Sequence, residues 1–262
     1  MIKIISGWSN EGGSTFALIN LTNTLNQYGY ETIFYGPHKW HLDKCNSGLL
    51  DNTVTVDEND ILISHYIHLP NRPNAKKVIL SCHEKNLFQV GKIKPYWDEV
   101  VFLNEKQRDY HSDYNGEFKI IPNLKEVLKK KDNITDSKKI AGVIGSIDEN
   151  KQTHISIERA FSEGYEKVYL FGNVTDANYY EKYVTPLMNE NVINYGFESD
   201  KQKIYDMVDS VFLSSKSEVA SLVKDECEST GTKFYGNVAT DHDVKELTND
   251  EIIKEWVKIL EL

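Results

Sequence analysis

Cysteine is scarce: Cys45, Cys82 and Cys227 are the only three in 262 residues, and no two lie close in sequence. That usage argues against a disulfide framework or a cysteine-rich zinc module and fits structural thiols in a reducing compartment. Long apolar runs are missing too. Met-Ile-Lys-Ile-Ile-Ser-Gly-Trp at the N-terminus lacks the apolar core of a secretion signal, and no later stretch has the ~20 apolar residues of a membrane-spanning helix. A cytoplasmic protein without an integral membrane segment is expected. Neither G-x-G-x-x-G nor a Gly-Lys-Ser/Thr P-loop occurs, and there is no low-complexity tract or short repeat. Positive charge is in deficit, and unevenly so. Residues 1–125 carry 13 Lys/Arg and 14 Asp/Glu, whereas residues 126–262 carry 17 and 26. So acidic a second half makes a poor nucleic-acid-coating surface. Basic clusters persist at Lys92-Ile93-Lys94 and Lys129-Lys130-Lys131, which leaves an anionic acceptor open.

What the chain does have is alternation. At 40% hydrophobic and 27% charged it is a globular sequence long enough for one large domain or two of ordinary size. Short β-branched runs alternate with helical patterns from end to end, the pattern of parallel sheets covered by helices. Strands are expected at 2–6, 31–35, 61–64, 78–82, 100–103 and 119–121, with a helix over 14–28 that Gly29 closes. A lysine-rich crossover, 124–139, separates these from a second series. There, strands are expected at 140–144, 167–171, 191–195, 210–213 and 233–235, and helices at 153–161, 177–189 and 201–206. Another short helix follows strand 210–213, starting near Val219 to Ser221. In the last helix, 248–262, Thr248 and Glu251 are spaced as a capping box. The domains are therefore read as 1–125 and 138–262, with ligands at the carboxyl ends of the strands in a cleft between them.

Four segments carry residues suited to a phosphorylated ligand. Gly12 and Gly13 follow the first strand and let backbone approach a ligand, with Ser14 or Thr15 as cap of the next helix. Lys151, after Gly145-Ser146, stands just beyond a strand at a helix start, where an ammonium neutralises a diphosphate. Phe171-Gly172-Asn173 and Tyr195-Gly196-Phe197 are glycine corners that suit a base lying against backbone and aromatic groups. Finally, Glu218 and Glu226 lie eight positions apart around a helix whose first N–H groups suit a phosphate. Taken singly, each of these is equally a tight turn or solvated surface.

In order, the Gly-Gly loop, the strand-end His83, Ile121-Pro122-Asn123, Gly145 with Lys151, Phe171-Gly172, Tyr195-Gly196-Phe197 and the E-x7-E pair resemble the family 4 glycosyltransferases over nearly the whole chain. These are retaining enzymes of the GT-B fold: α/β, with two Rossmann-like domains whose parallel sheets face a central cleft. The resemblance implies a nucleotide diphosphate sugar as donor, an acceptor hydroxyl, and no metal or other cofactor. It implies that Lys151 meets the donor diphosphate, that Glu226 grips the ribose, and that Glu218 and His83 lie near the transferred sugar. Backbone at Val219, Ala220, Ser221 and Leu222 would hold phosphate and sugar, with Gly12, Gly13, Ser146 and Gly172 around the donor. The C-terminal helix of the family crosses back to the first domain. Where many members have an arginine, this chain has Ser146; Arg72, Lys85 and Arg108 are conceivable substitutes.

Other readings share these residues. A transferase acting on a modified base in DNA, a nucleotide-sugar epimerase and a non-catalytic nucleotide-binding protein of the same fold all fit the motifs, although net charge disfavours the nucleic acid. His38-x-x-His41, His65-x-x-His68 and Asp241-His242-Asp243 have metal-like spacing without a matching partner set. The stretch 87–97 mixes apolar and basic residues in a way that suits a lipid-linked acceptor at a membrane surface.

Overall fold

The computed structural model describes residues 1–9, 12–85, 92–131, 139–239 and 245–260. It divides into two compact units, Met1–Leu124 with Asp243–Leu262, and Lys125–His242.

The first unit holds a seven-stranded sheet in the order β3-β2-β1-β4-β5-β6-β7. Its strands are β1 (Ile2–Ser6), β2 (Thr32–Gly36), β3 (Ser47–Leu49), β4 (Ile61–His65), β5 (Lys77–Ser81), β6 (Glu99–Phe102) and β7 (Phe118–Ile120). Every pairing is parallel. Strands buried on both faces must be apolar along their length, which is why Ile4, Ile63, Ile79 and Val101 are all fully covered. Helix α1 (Gly13–Gln27) links β1 to β2 and turns Leu18, Leu21 and Leu25 into the core. Gly29 stops it at φ +86, a left-handed conformation that costs other residues strain. The helix begins at Gly12 with no side-chain cap, so neither Ser14 nor Thr15 caps it; both already lie inside the first turn. The five-residue helix α2 (Glu105–Asp109) was not expected. It is too short for an apolar face and exists through Asn104, whose side chain accepts from the Gln107 amide.

The second unit is a five-stranded parallel sheet in the order β10-β9-β8-β11-β12. It comprises β8 (Ile140–Ile144), β9 (Lys167–Phe171), β10 (Val192–Gly196), β11 (Ser210–Phe212) and β12 (Lys233–Tyr235). Around it lie α3 (Thr153–Ser162), α4 (Ala177–Tyr179), α5 (Lys201–Met207) and α6 (Leu222–Thr230). The single helix expected over 177–189 is broken: α4 passes into a π turn at Tyr180–Val184 and a 3-10 turn at Thr185–Leu187. Pro186, with no N–H to give, sits in that last turn.

The last helix, α7 (Asn249–Leu260), corrects the domain boundary read from the sequence. Ile252, Ile253, Trp256, Ile259 and Leu260 follow helical spacing, and all join the first unit's core beside Ile4, Leu18 and Leu21. At ~1.5–3 kcal/mol for each large apolar side chain buried, that face ties residues from 243 onward to the first unit, not to the second. The capping box is present: Glu251 Oε2 accepts from the Thr248 amide at 2.8 Å, and Thr248 Oγ1 accepts from the Glu251 amide at 3.3 Å. The other junction falls at Leu124–Lys125, the start of the expected crossover.

All three cysteines are free. Burial pushes the thiols of Cys45 and Cys227 up to about 11 and about 12, so both are unreactive packing groups. Among the described residues, no helix is long and apolar enough to cross a membrane.

Candidate functional site

In open parallel sheets, ligands settle beyond the carboxyl ends of the strands where the strand order reverses. The second unit reverses between β8 and β11. Two loops leave those strand ends and are stitched together. The Lys216 amide donates to the Asn150 carbonyl at 2.7 Å, and Asn150 Nδ2 donates to the Ser217 carbonyl at 3.2 Å. Between them, Lys151 Nζ donates to Glu218 Oε1 at 2.5 Å, and Ser215 Oγ donates to the same oxygen at 2.6 Å. The two side chains that the sequence assigned separately to diphosphate and sugar are thus direct partners, half-buried at the switch point. Lys151 owes its place to an Asp148 side chain that accepts from its amide at 2.8 Å.

Gly172 sets the floor of this corner. Its φ is +153, and a Cβ there would stand 1.9 Å from the Gly145 carbonyl oxygen. The loop after β8 is therefore pressed onto the loop after β9, and Ile147 extends the contact by donating to the Asn173 carbonyl at 2.8 Å. Ser146 lies in this loop, half-buried. At the carboxyl end of β10, Tyr195 in the strand and Phe197 just past it are exposed, with Tyr195 stacked on Phe171 at 5.3 Å between ring centroids.

Helix α6 begins later than expected. Ser221 is its N-cap, accepting from the Lys224 amide at 3.3 Å, so the free first-turn donors are Leu222 and Val223. Val219 and Ala220 belong to the loop, as does Glu218; only Glu226 is helical. Glu226 is 5% exposed and has a partner on each oxygen, accepting from Lys201 Nζ at 2.6 Å on one and from the Tyr205 hydroxyl at 2.7 Å on the other. Lys201 also pairs with Glu126 at 2.5 Å. Burial alone would push the Lys201 amine down, but Glu226 and Glu126 outweigh it and hold the ammonium above its ordinary range. Burial, with Glu226 next, drives the Tyr205 hydroxyl far up, so it remains a donor. Sequence reasoning missed Lys201 and Tyr205, since neither has a motif; only an acid buried at Glu226 makes them necessary.

In the first unit the order reverses between β1 and β4, where Ser6 and His65 stand side by side in register. His65 Nδ1 lies 2.7 Å from Ser6 Oγ, and its Nε2 lies 3.1 Å from Glu84 Oε2. Ser14, in the first turn of α1 after Gly12 and Gly13, also bonds to Glu84. His83 packs edge-on against the His65 ring at 5.1 Å between centroids. It lines a small pocket with Leu18, Leu21, Ile121 and Trp256, bonds Ser81 Oγ through Nε2 at 3.1 Å, and leaves Nδ1 buried without a partner. Burial, followed by the nearby His65 charge, lowers it to about 3, so His83 is neutral. Its neighbour Glu84 is the accessible group at this strand end, and the sequence reading passed over it.

The three conceivable arginine substitutes are accounted for. Arg72 pairs with Asp98 at 2.8 Å beside the amino ends of β5 and β6, opposite the carboxyl ends. Arg108 donates to the carbonyls of His111 and Tyr114, and Lys85 stands over the Tyr110 ring at 4.1 Å. Of the stretch 87–97, residues 87–91 lie outside the described residues, while Ile93 and Trp97 are buried core rather than a lipid-facing surface. Among the described residues no three His, Cys, Asp or Glu side chains form a metal-sized group, and residues 241–243 lie outside that set.

No protein-family model matches the sequence, and a search of curated proteins finds no match. Solved structures do match in fold. Anabaena Alr3699/HepE in complex with UDP-glucose matches with a TM-score of 0.69 at 13% identity, over 99% of this chain and 89% of that one. WaaG, a glycosyltransferase involved in lipopolysaccharide biosynthesis, gives 0.71 at 11% identity over 100% and 91%. The lipopolysaccharide outer core galactosyltransferase WaaB gives 0.60 at 14% identity over 99% and 88%. At such identities the likeness is one of fold, and that fold is GT-B.

Proposed function

We propose that this chain is a retaining glycosyltransferase that moves a hexose from a nucleoside diphosphate sugar to an acceptor hydroxyl. The observation that carries the reading is the Lys151–Glu218–Ser215 cluster at the second unit's switch point, one loop away from the free amides of α6. The structure that matches in fold with UDP-glucose bound supports a uridine diphosphate donor.

In this mechanism the bond from the anomeric carbon to the diphosphate oxygen breaks, and a bond to the acceptor oxygen forms on the same face. The acceptor proton leaves with the departing diphosphate. Lys151 and the amides of Leu222 and Val223 stabilise the charge that collects on the leaving group; one such donor is worth about a hundredfold in rate. Glu218 orients the Lys151 ammonium until the diphosphate takes its place and then accepts from sugar hydroxyls. Glu226, already aligned by Lys201 and Tyr205, has remaining lone pairs for the ribose. Both carboxylates position and neither attacks. Gly172 lets the β8 and β9 loops close together, and Tyr195 and Phe197 offer a face for the base.

A thermal-shift screen against UDP, GDP, ADP and their glucose conjugates tests the donor. A ligand at a hundred times its dissociation constant adds ~2.7 kcal/mol, and the reading expects a uridine diphosphate among the stabilisers. NMR of the product then fixes the anomer. An inverted product would end the retaining mechanism, and nucleotide binding with no hydrolysis or transfer would favour a non-catalytic binder.

A further inference from the structure

The first unit's switch point contains a built cluster that the proposed donor chemistry does not use. Ser6 Oγ donates to the Trp8 carbonyl, which can only accept, and receives the Trp8 amide at 3.1 Å. The Ser6 oxygen must therefore accept from His65 Nδ1. On the other side Nε2 faces both Glu84 oxygens, at 3.2 and 3.1 Å. His65 is thereby held on both ring nitrogens, between Ser6 and Glu84. The His65 side chain is fully buried, whereas the Glu84 side chain is 29% exposed. Burial would raise the Glu84 carboxyl, but its contact with His65, and then the Ser14 hydrogen bond, bring it below its ordinary value. An acid so stabilised is a poor base. It is a good permanent acceptor.

Aromatic surface lies beside it. Trp8 is 45% exposed and meets the Tyr66 ring edge-on at 6.3 Å. Tyr66 directly follows His65 and holds φ +47, a strained value for a bulky residue. Gly7 lets the backbone at Tyr66 approach closely, since a Cβ at Gly7 would lie 2.3 Å from the Tyr66 carbonyl oxygen. The segments after β1 and β4 are thus forced together so that an indole, a phenol and a carboxylate share one end of the sheet. Neither burying His65 nor straining Tyr66 is needed to hold an apolar parallel sheet, and such costs collect at functional sites.

We infer that Trp8, Tyr66 and Glu84 form a binding site for a neutral pyranose, with ring C–H groups on the indole and hydroxyls donating to Glu84. An anionic group there would meet the Glu84 carboxylate, so the site rejects phosphorylated sugars. On the transferase reading, on which this identification rests, it names the acceptor class as an uncharged glycan or glycoside. It also leaves the diphosphate to the second unit rather than to the Gly12–Gly13 helix end, where Ser14 already holds Glu84.

Saturation-transfer NMR on the whole protein tests this with methyl glycosides of glucose, galactose, mannose and N-acetylglucosamine, and with glucose 6-phosphate. At least one methyl glycoside is expected to bind, glucose 6-phosphate is not, and Glu84→Gln is expected to weaken binding tenfold or more. Trp8→Ala, at an exposed position that leaves the fold intact, should do the same. Binding of no methyl glycoside, equal binding of glucose 6-phosphate, or unchanged binding in both variants overturns the proposal. UDP titrated into the same samples separates the two readings. Glycoside binding without UDP binding keeps this site and removes the transferase, while UDP binding without glycoside binding does the reverse.

Discussion

Replacing Lys201 by methionine should be among the most damaging single changes in the second unit. Its ammonium sits between Glu226 and Glu126, and the side-chain exposures of Lys201 and Glu226 are 17% and 6%. Methionine fills the volume of the stem but leaves the Glu226 carboxylate buried on the Tyr205 hydroxyl, with a second carboxylate facing it. Removing one partner of a buried pair costs ~3–5 kcal/mol, because the remaining charge is uncompensated. The partly open Glu126 side places this case near ~3 kcal/mol. Adding Glu226→Gln removes the stranded charge, so the double variant should recover about 2 kcal/mol, a coupling typical of contacting residues. Urea unfolding followed by circular dichroism reads both values as midpoint shifts at constant slope. A loss below about 1 kcal/mol in the single variant, or strict additivity in the double, would refute the buried-network argument.

Gly172→Ala should cost more than about 3 kcal/mol, since positive φ and a hard backbone contact combine, whereas Gly164→Ala, at φ +86 in open space, should cost about 1 kcal/mol. Equal melting temperatures for the two variants would contradict the clash. His83 is depressed in the folded chain, so the unfolded chain binds the extra proton below its ordinary value of 6.5. Stability from this group is complete above that pH and falls as pH drops toward the folded value. Between pH 7 and 5 the loss is about 2 kcal/mol, and His83→Asn should flatten the profile by that amount; parallel profiles would show that His83 is solvated. Because Lys151 and the α6 amides are assigned the leaving-group charge, transfer should proceed undiminished in EDTA. A drop beyond tenfold that magnesium or manganese restores would assign that charge to a metal.

Much of the fold could be read from the chain because its physics is local. Runs such as Ile140–Ile144 and Lys167–Phe171 announce buried parallel strands by composition, and the Thr248–Glu251 cap announces a helix start. What was not legible depends on distance in sequence. Edge strand β3, Ser-Gly-Leu, has no β-branched residue and forms by pairing with β2. The allegiance of α7, which only the family resemblance implied, is decided by contacts with residues more than 200 positions away, such as Ile4 and Leu18. At the site, Lys151 and Glu218 were visible as types at promising positions, but their pairing across 67 residues was not. Lys201, Tyr205 and Glu84 carry no spacing signal, and the spacing of His65 to His68 pointed to a metal rather than to Ser6 and Glu84. Their significance lies in burial of charge, which only the fold reveals.

Calorimetric titration of UDP into the wild-type protein and Lys151→Ala puts the central claim to its most direct test. The account predicts saturable binding to the wild type and at least tenfold weaker binding to the variant, with an unchanged circular dichroism spectrum. Equal affinity in the two proteins, or no binding of UDP, GDP or ADP to the wild type, would contradict it.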